Sequence, residues 1–473
     1  MGDTMSGTNG DYAAFLERKL RIQQPTGFDV EPEHLCPALF DWQKDIARWC
    51  CQVGRVGAFL DTGLGKSLIA LAWGEQIVKQ FGNVLILTPL AVAQQFRREA
   101  EKFSVGVDVT VCRENSDVRP GINVTNYERL EKFDLTQFVA VNTDEGSIMK
   151  SHTGKTRQAL IDKFAGYRFR MSATATPSPN DHVELGNQSE FLGVMPRLEM
   201  LSNFFVHDSG KTQDWRLKGH GVDDFWRWVS SWAACVTHPR DLGYEDDRYT
   251  LPPLDKQIHV VECDECQPPG GFLFHTGGVS ATAIHGEKRV TAAVRAAKVA
   301  ELVASDPDEP WLIWCDTNYE ADELTRRIPD AVEIRGNDKT EVKEEWLLAF
   351  GGGSIKRLVT KPEIAGHGLN WQHCARMAFV GMSFSFERTY QATRRCWRFG
   401  QARPVQCHMI TSEAEGHVLK SLQAKEGAFL KMQQALRDAI GEHQMNSLYG
   451  RHELRRISGT QAIRIPSWLQ SKT

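Results

Sequence analysis

The stretch Val56 to Phe81 reads VGAFLDTGLGKSLIALAWGEQIVKQF. It opens with a short apolar run and turns through Thr62, Gly63, Leu64 and Gly65. It then continues with Leu68, Ile69, Leu71, Ala72, Ile77 and Val78 at helical spacing. A strand, a glycine turn and a helix start, in that order, form the frame in which backbone N–H groups wrap phosphates. On this reading Lys66 neutralises the β- and γ-phosphates of a nucleotide and Ser67 ligates Mg²⁺. Gly63 and Gly65 remove side chains where the backbone must come close to the phosphates. Leu60 stands where the full G-x-x-x-x-G-K-[ST] pattern has its first glycine. Gly-Lys-Thr recurs at 154–156 and 210–212, but neither copy follows an apolar run, so both are expected to be solvated loops.

Working outward, the 473 residues suggest about three domains. Hydrophobic residues make up 41% and charged residues 25%, an ordinary balance for a chain that fills several cores. The net charge of −4 means that any nucleic-acid surface must be a local stripe. Eleven cysteines lack framework spacing and read as reduced thiols. No run is long enough to span a membrane and no signal-peptide core opens the chain, so a cytoplasmic enzyme is expected.

Apolar runs alternate with helical patterns on both sides of the opening stretch. Strands are expected at 56–60, 84–87, 107–112, 122–125, 138–141 and 167–171, with helix-like pieces such as 91–103 between them. This is the rhythm of a parallel sheet covered on both faces. Residues 1–34 read as an N-terminal extension with a short helix near 12–22, and 35–180 as the first domain. Residues 181–260 break the rhythm with Phe204, Phe205, Trp215, Phe225, Trp226, Trp228 and Trp232. They read as a helical insertion whose aromatics are core. Leu251-Pro252-Pro253-Leu254 reads as a connector. Residues 261–290 read as a flexible linker, turn-rich over Cys263 to Gly278. Its Cys263, Cys266, His275 and His285 match no common zinc spacing. A helix at 294–304 and strands at 311–315, 331–334, 358–360, 376–380 and 406–410 mark a second α/β domain over 291–440. A basic tail follows over 441–473. No internal repeat is visible.

Two further clusters carry chemistry. Asp144-Glu145 follows an apolar run some eighty residues after the phosphate loop. Asp144 can hold Mg²⁺ through water, and Glu145 can orient and deprotonate an attacking water. In QATRRCWRFGQ (391–401), Arg395 and Arg398 are three apart and share a helix face. They could reach a nucleotide held by the first domain as arginine fingers.

DWQKD, DTGLGKS, DEGSIMK, TATPSPN, AGHGLN and QATRRCWRFGQ occur in this order and together resemble the motifs of superfamily 2 helicases of the Swi/Snf-like branch. With WRLKGH, VTKPEIAGHGLNWQHCARM and TSEAEG, the chain is most similar to compact DEAD/DEAH-type helicases encoded by phages and prophages, over roughly residues 35–440. The resemblance implies an α/β fold of two tandem RecA-like P-loop domains with the ATP site between them. It implies that Gln43 reads the adenine edge and that Thr174 and Thr176 couple hydrolysis to DNA contact, with 172–174 as another register. Gly366, Gly368 and Asn370 would lie between nucleotide and DNA, and Gln391, Arg395 and Arg398 would close the site. Two positions depart from the pattern: Ser147 replaces the usual histidine of the acidic motif, and Arg394 stands where the branch often has an acid. Both bear on coupling more than on ATP binding. Thr88, Pro89, Asn126, Lys150 and Lys361 are candidate contacts to the DNA backbone.

The expected activity is Mg²⁺-dependent ATP hydrolysis by a monomer moving along duplex DNA in a bacterial or phage-infected cytoplasm. An RNA helicase of the same superfamily and a non-motor nucleotide-binding scaffold in replication or repair are the alternatives. DNA- or RNA-stimulated turnover separates them.

Overall fold

The computed structural model describes residues 24–89, 92–149, 154–178, 181–207, 215–262, 281–366, 369–381, 383, 385–412 and 416–448. The expected helix at 12–22, the turn-rich 263–278 with its Cys and His residues, the loop at 210–212, Lys150 and Gly368 lie outside them, as does the tail from 449 on.

The first lobe is built from α1 (Asp41–Val53), β1 (Arg55–Leu60), α2 (Lys66–Gln80), β2 (Val84–Thr88), α3 (Ala93–Lys102), β3 (Val109–Val111), β4 (Ile122–Asn126), β5 (Ala140–Asp144), α4 (Lys155–Phe164) and β6 (Phe169–Ala173). Then come α5 (Leu185–Leu192), α6 (Arg197–Phe204), the hairpin β7 (Phe205–His207) and β8 (Trp215–Leu217), α7 (Val222–Ser230) and β9 (Ala233–Val236). Seven parallel strands pair in the order β3-β4-β2-β5-β6-β1-β9. All five residues of β2 are buried. Its first four residues are continuously apolar because helices cover both faces of a parallel sheet, so no side of the strand meets water.

The second lobe contains β10 (Leu254–Val261), α8 (Ala281–Ser305), β11 (Trp311–Trp314), α9 (Asn318–Arg327), β12 (Ala331–Glu333), α10 (Thr340–Gly351), β13 (Arg357–Thr360), α11 (Pro362–Ala365), β14 (Arg376–Phe379), α12 (Phe386–Thr393), β15 (Val405–Ser412) and α13 (Gly416–Leu448). Its six strands are also parallel, in the order β10-β15-β14-β11-β13-β12. The fold is thus α/β with two large parallel sheets, consistent with two tandem RecA-like domains.

Several expected boundaries move. The aromatics of the 181–260 stretch are core: Phe225 and Trp232 are fully buried. Trp228 stacks on Phe204 with centroids 5.4 Å apart and meets Trp232 edge-on at 5.3 Å, and Trp232 meets Phe59 of β1 edge-on at 5.9 Å. That aromatic ladder leads straight into β9, which pairs with β1, so the stretch is not mostly helical as expected: beside α5, α6 and α7 it carries the β7–β8 hairpin and completes the first sheet. Four residues, Ala-Ala-Cys-Val, are too few to show a strand period. Leu254, read as the end of a connector, starts β10, which pairs with β15 along its whole length. Residues 281–290, assigned to a linker, are the first turns of α8. Gly154-Lys155-Thr156 does not sit in a loop: α4 begins at Lys155. The C-terminal helix α13 runs past 440 to Leu448, 33 residues in all, about 50 Å at 1.5 Å per residue. It leaves the second lobe and packs on α7, β9 and α1 of the first.

Candidate active site

The glycine loop 61–65 leaves the C-terminal end of β1, beside the ends of β6 and β5: Ala58 pairs with Ala173, and Ala173 with Asp144. Loops at the carboxyl ends of parallel strands form the crevice where such sheets bind ligands. The loop turns through Gly63 at φ 93° and Gly65 at φ 80°, values a side chain resists. A Cβ on Gly63 would meet the Phe399 backbone N and Cβ at 3.0 Å, and one on Gly65 would meet Gln43 Nε2 at 2.4 Å. The missing side chains therefore make room for the second lobe and for Gln43. Helix α2 starts at Lys66 and aims its N-terminus at the cleft, favouring an anion there. Lys66 Nζ donates to the Leu60 carbonyl at 2.9 Å and the Asp61 carbonyl at 3.3 Å.

Asp144 is the last residue of β5, a strand that runs from Ala140 and so ends three residues later than expected. It is 6% exposed and accepts a hydrogen bond from the Thr88 hydroxyl at 3.1 Å. Tyr127 Oη donates to its carbonyl at 2.6 Å. Glu145 turns the chain at φ 55°, in the left-handed region. A glutamate held there is a strained conformation that the surrounding contacts must impose. The next residue is pinned from the other side: Gln188 of α5 donates to the Gly146 carbonyl at 2.9 Å and accepts from the Ser172 hydroxyl at 2.7 Å. Gln188 was not visible as a site residue. It ties the acidic turn to β6.

From the second lobe, Arg395 Nη1 and Arg398 Nη1 both donate to the Leu369 carbonyl at 3.1 Å. Gln391 holds Arg395 in place, accepting from Nη2 through its side chain at 3.1 Å and from Nε through its carbonyl at 2.9 Å. Arg398 Nε is buried without a hydrogen-bond partner.

These groups surround one cavity of about 330 Å³ between the lobes. Gln43, Thr62, Gly63, Gly65, Lys66, Ser67, Asp144, Glu145, Arg395 and Arg398 all line it. Leu64 is buried behind the loop, where its carbonyl accepts from Gln43 Nε2 at 3.0 Å. The other end of that amide, Oε1, accepts from the Phe40 N–H at 3.0 Å, so Gln43 braces the loop as well as facing the cavity. Sequence reading missed the aromatic wall: Tyr249 stacks on Phe399 with centroids 4.4 Å apart, one ring from each lobe. It also missed Glu99 of α3, which lines the cavity and is hydrogen-bonded to Gln95 at 2.7 Å and to Ser67.

Charge in the cavity is unevenly satisfied. Burial lowers the Lys66 pKa, against the pull of Glu145, Asp61 and Asp144. Burial and the neighbouring Arg395 and Arg394 also lower that of Arg398. A guanidinium stays charged at neutral pH, so this cluster favours an arriving anion. Burial, with Glu145 beside it, pushes the Asp144 carboxyl up to about 7, against Lys66 and the Thr88 hydrogen bond. Burial raises Glu99 as well.

Thr174 and Thr176 are fully buried outside the cavity. Thr174 Oγ1 accepts from the Thr176 N–H at 3.1 Å, and Thr176 Oγ1 donates to Glu387 of α12 at 3.4 Å, which joins the lobes. Asn370 is exposed, next to the carbonyl that receives both arginines. Two candidate DNA contacts do not reach a surface. Thr88 is fully buried on Asp144, and Asn126 is 4% exposed. Lys361 is half-buried in a small recess with Asp316 and Arg388.

The chain is similar to protein p41 of Acyrthosiphon pisum secondary endosymbiont phage 1, with 22% identity over 436 residues that take in 79% of this chain and 92% of that one. It is also similar to Chromodomain-helicase-DNA-binding protein 1-like of Danio rerio, 28% identical over 183 residues. That match covers 34% of this chain and 17% of the zebrafish protein, under a fifth of its length. No family model matches. These likenesses point to a helicase-like relationship.

Proposed function

We propose that this chain hydrolyses ATP in the cleft between its lobes and uses the cycle to move along nucleic acid, with duplex DNA as the track. The observation that supports this best is convergence. Lys66, Ser67, Asp144 and Glu145 of the first lobe and Arg395 and Arg398 of the second line one cavity, although they are spread over more than three hundred residues of chain. The helicase relationship of the zebrafish protein and the motif order support the choice of nucleic acid.

Lys66 and the start of α2 would meet the β- and γ-phosphates. The oxygen-only donor set fits Mg²⁺: Ser67 and Asp144 would hold it, and it would neutralise phosphate charge. Glu145 would take a proton from the attacking water as its oxygen bonds to the γ-phosphorus. The bond to the β–γ bridging oxygen breaks, and ADP and phosphate leave. Arg398 would offset the charge that grows on the transferring group, and because it comes from the other lobe, turnover requires the lobes to meet. Thr176 and Glu387, in contact across the lobes, would transmit that meeting to the rest of the molecule.

The test is ATP turnover by the purified chain with duplex DNA, single-stranded DNA, RNA or no nucleic acid. Stimulation is expected to be strongest with duplex DNA. Strongest stimulation by RNA would favour an RNA helicase, and binding without turnover under all four conditions would favour the scaffold.

A further inference from the structure

Asp61 and Arg394 meet across the cleft. Asp61 is the first residue past β1, and its N–H donates to the Val236 carbonyl of β9 at 2.9 Å, so the first sheet fixes its backbone. Its carboxylate accepts from the Thr62 N–H at 2.7 Å, from the Tyr390 hydroxyl at 2.6 Å and from Arg394 Nη2 at 2.6 Å. Arg394 Nη2 also donates to the Thr62 carbonyl at 3.0 Å. The side chains of Arg394 and Asp61 are only 5% and 14% exposed. The guanidinium lies 4.9 Å from the Trp397 ring centroid and 5.8 Å from that of Tyr390. Burial works against the Arg394 charge, but Asp61 and Tyr390 hold its pKa above the ordinary value.

A buried ion pair adds little stability over an apolar contact, because desolvation offsets the attraction. What it adds is direction. An apolar contact tolerates a slide of an ångström, whereas a carboxylate with three donors does not. Both ends of this pair sit at the roots of working segments. Asp61 leads directly into Thr62–Ser67, and Arg394 directly into Arg395–Arg398. Neither Asp61 nor Arg394 lines the cavity itself.

We propose that Arg394 is a positioning residue: bound to Asp61 and Thr62, it sets the register of the arginine segment over the phosphate loop, so that Arg398 lies over the site of phosphoryl transfer. The inference rests on the ATP-hydrolysis reading. It gives Arg394, which departs from the helicase pattern, a role in aligning the lobes without any contact to nucleotide.

The test compares Asp61→Asn, Arg394→Gln, the double variant and Arg394→Lys in the full chain. Each of the first two should lower kcat by about tenfold to a hundredfold, as expected for a misplaced catalytic group. KM for ATP should stay within about threefold, because the loop still binds phosphate. The double variant should be no slower than the slower single one, and Arg394→Lys should recover part of the turnover. Losses that multiply in the double variant, or a loss confined to KM, would overturn the proposal. A readout independent of activity is hydrogen exchange. Arg394→Gln should speed exchange at the backbone amides of both 61–67 and 394–399, and unchanged exchange would overturn the proposal. If the unaltered chain fails to hydrolyse ATP, the functional reading falls, and exchange alone decides whether the alignment exists.

Discussion

Glu145 and Arg398 reach the same cavity from opposite lobes, and their substitutions should fail in different ways. Glu145→Gln keeps the shape of the side chain but removes the proton acceptor. It should bind ATP with little change and lose turnover by about 10²- to 10⁴-fold, the range for general-base removal. Arg398→Ala removes charge that acts on the transition state. It should also bind ATP, with kcat down by roughly 10³-fold or more. Equilibrium binding of a fluorescent ATP analogue beside steady-state turnover checks both. Lost binding with an unchanged turnover number in Arg398→Ala would mean that the arginine holds ground-state phosphate instead. Lys66→Ala should abolish turnover and weaken binding. Lys155→Ala should do neither, because Lys155 is exposed at the start of α4.

At the scale of elements, the acidic turn depends on α5. Gln188 is 1% exposed and spans Gly146, just past β5, and Ser172, within β6. Gln188→Leu keeps the bulk and strands a buried carbonyl and a buried hydroxyl. It should cost about 1–3 kcal/mol for each group left without a partner, measured by denaturant unfolding. If the tie also supports coupling, DNA stimulation of ATP turnover should drop more than basal turnover does. Equal drops would make Gln188 a stability residue alone. The aromatic helix α7 belongs to the same scale. Phe225→Ala should cost about 3–5 kcal/mol, because Phe225 is fully buried among Phe204, Phe205 and Trp226 and leaves a cavity that rigid rings cannot fill.

At the scale of the molecule, each lobe has an apolar cluster of its own, a further cluster runs through both, and α13 bridges them. A single-strand stacking platform needs accessible aromatics along a basic groove. Among the described residues of the aromatic-rich stretch, Phe204, Phe205, Phe225, Trp226, Trp228 and Trp232 are buried and Trp215 is half-buried. On the proposed function, the expected behaviour is tracking along intact duplex. At one salt concentration the chain should displace the third strand of a triplex with ATP and leave a forked duplex largely paired. Efficient fork unwinding without triplex displacement would reverse that assignment. Binding should weaken steeply with salt, because phosphate contacts release counterions.

The chain by itself determined what contiguous residues can encode. The apolar run, glycine turn and helical spacing of 56–81 predict β1, the glycine loop and α2. The rhythm on either side predicts most strands of both sheets to within a few residues, because a buried parallel strand is a short, continuous apolar run. The acidic pair and the two arginines were legible because their chemistry is unusual at that spacing. Only the tertiary structure decided which of these residues share a cavity, and it added groups that carry no local pattern. Tyr249 and Phe399 are ordinary aromatics until two lobes stack them. Gln188 is one polar residue on a short helix until it meets the acidic turn and β6. Asp61 and Arg394 are 333 positions apart. A pairing across that distance leaves no period in either segment, because it is set by how two sheets dock and not by the geometry of one helix or strand.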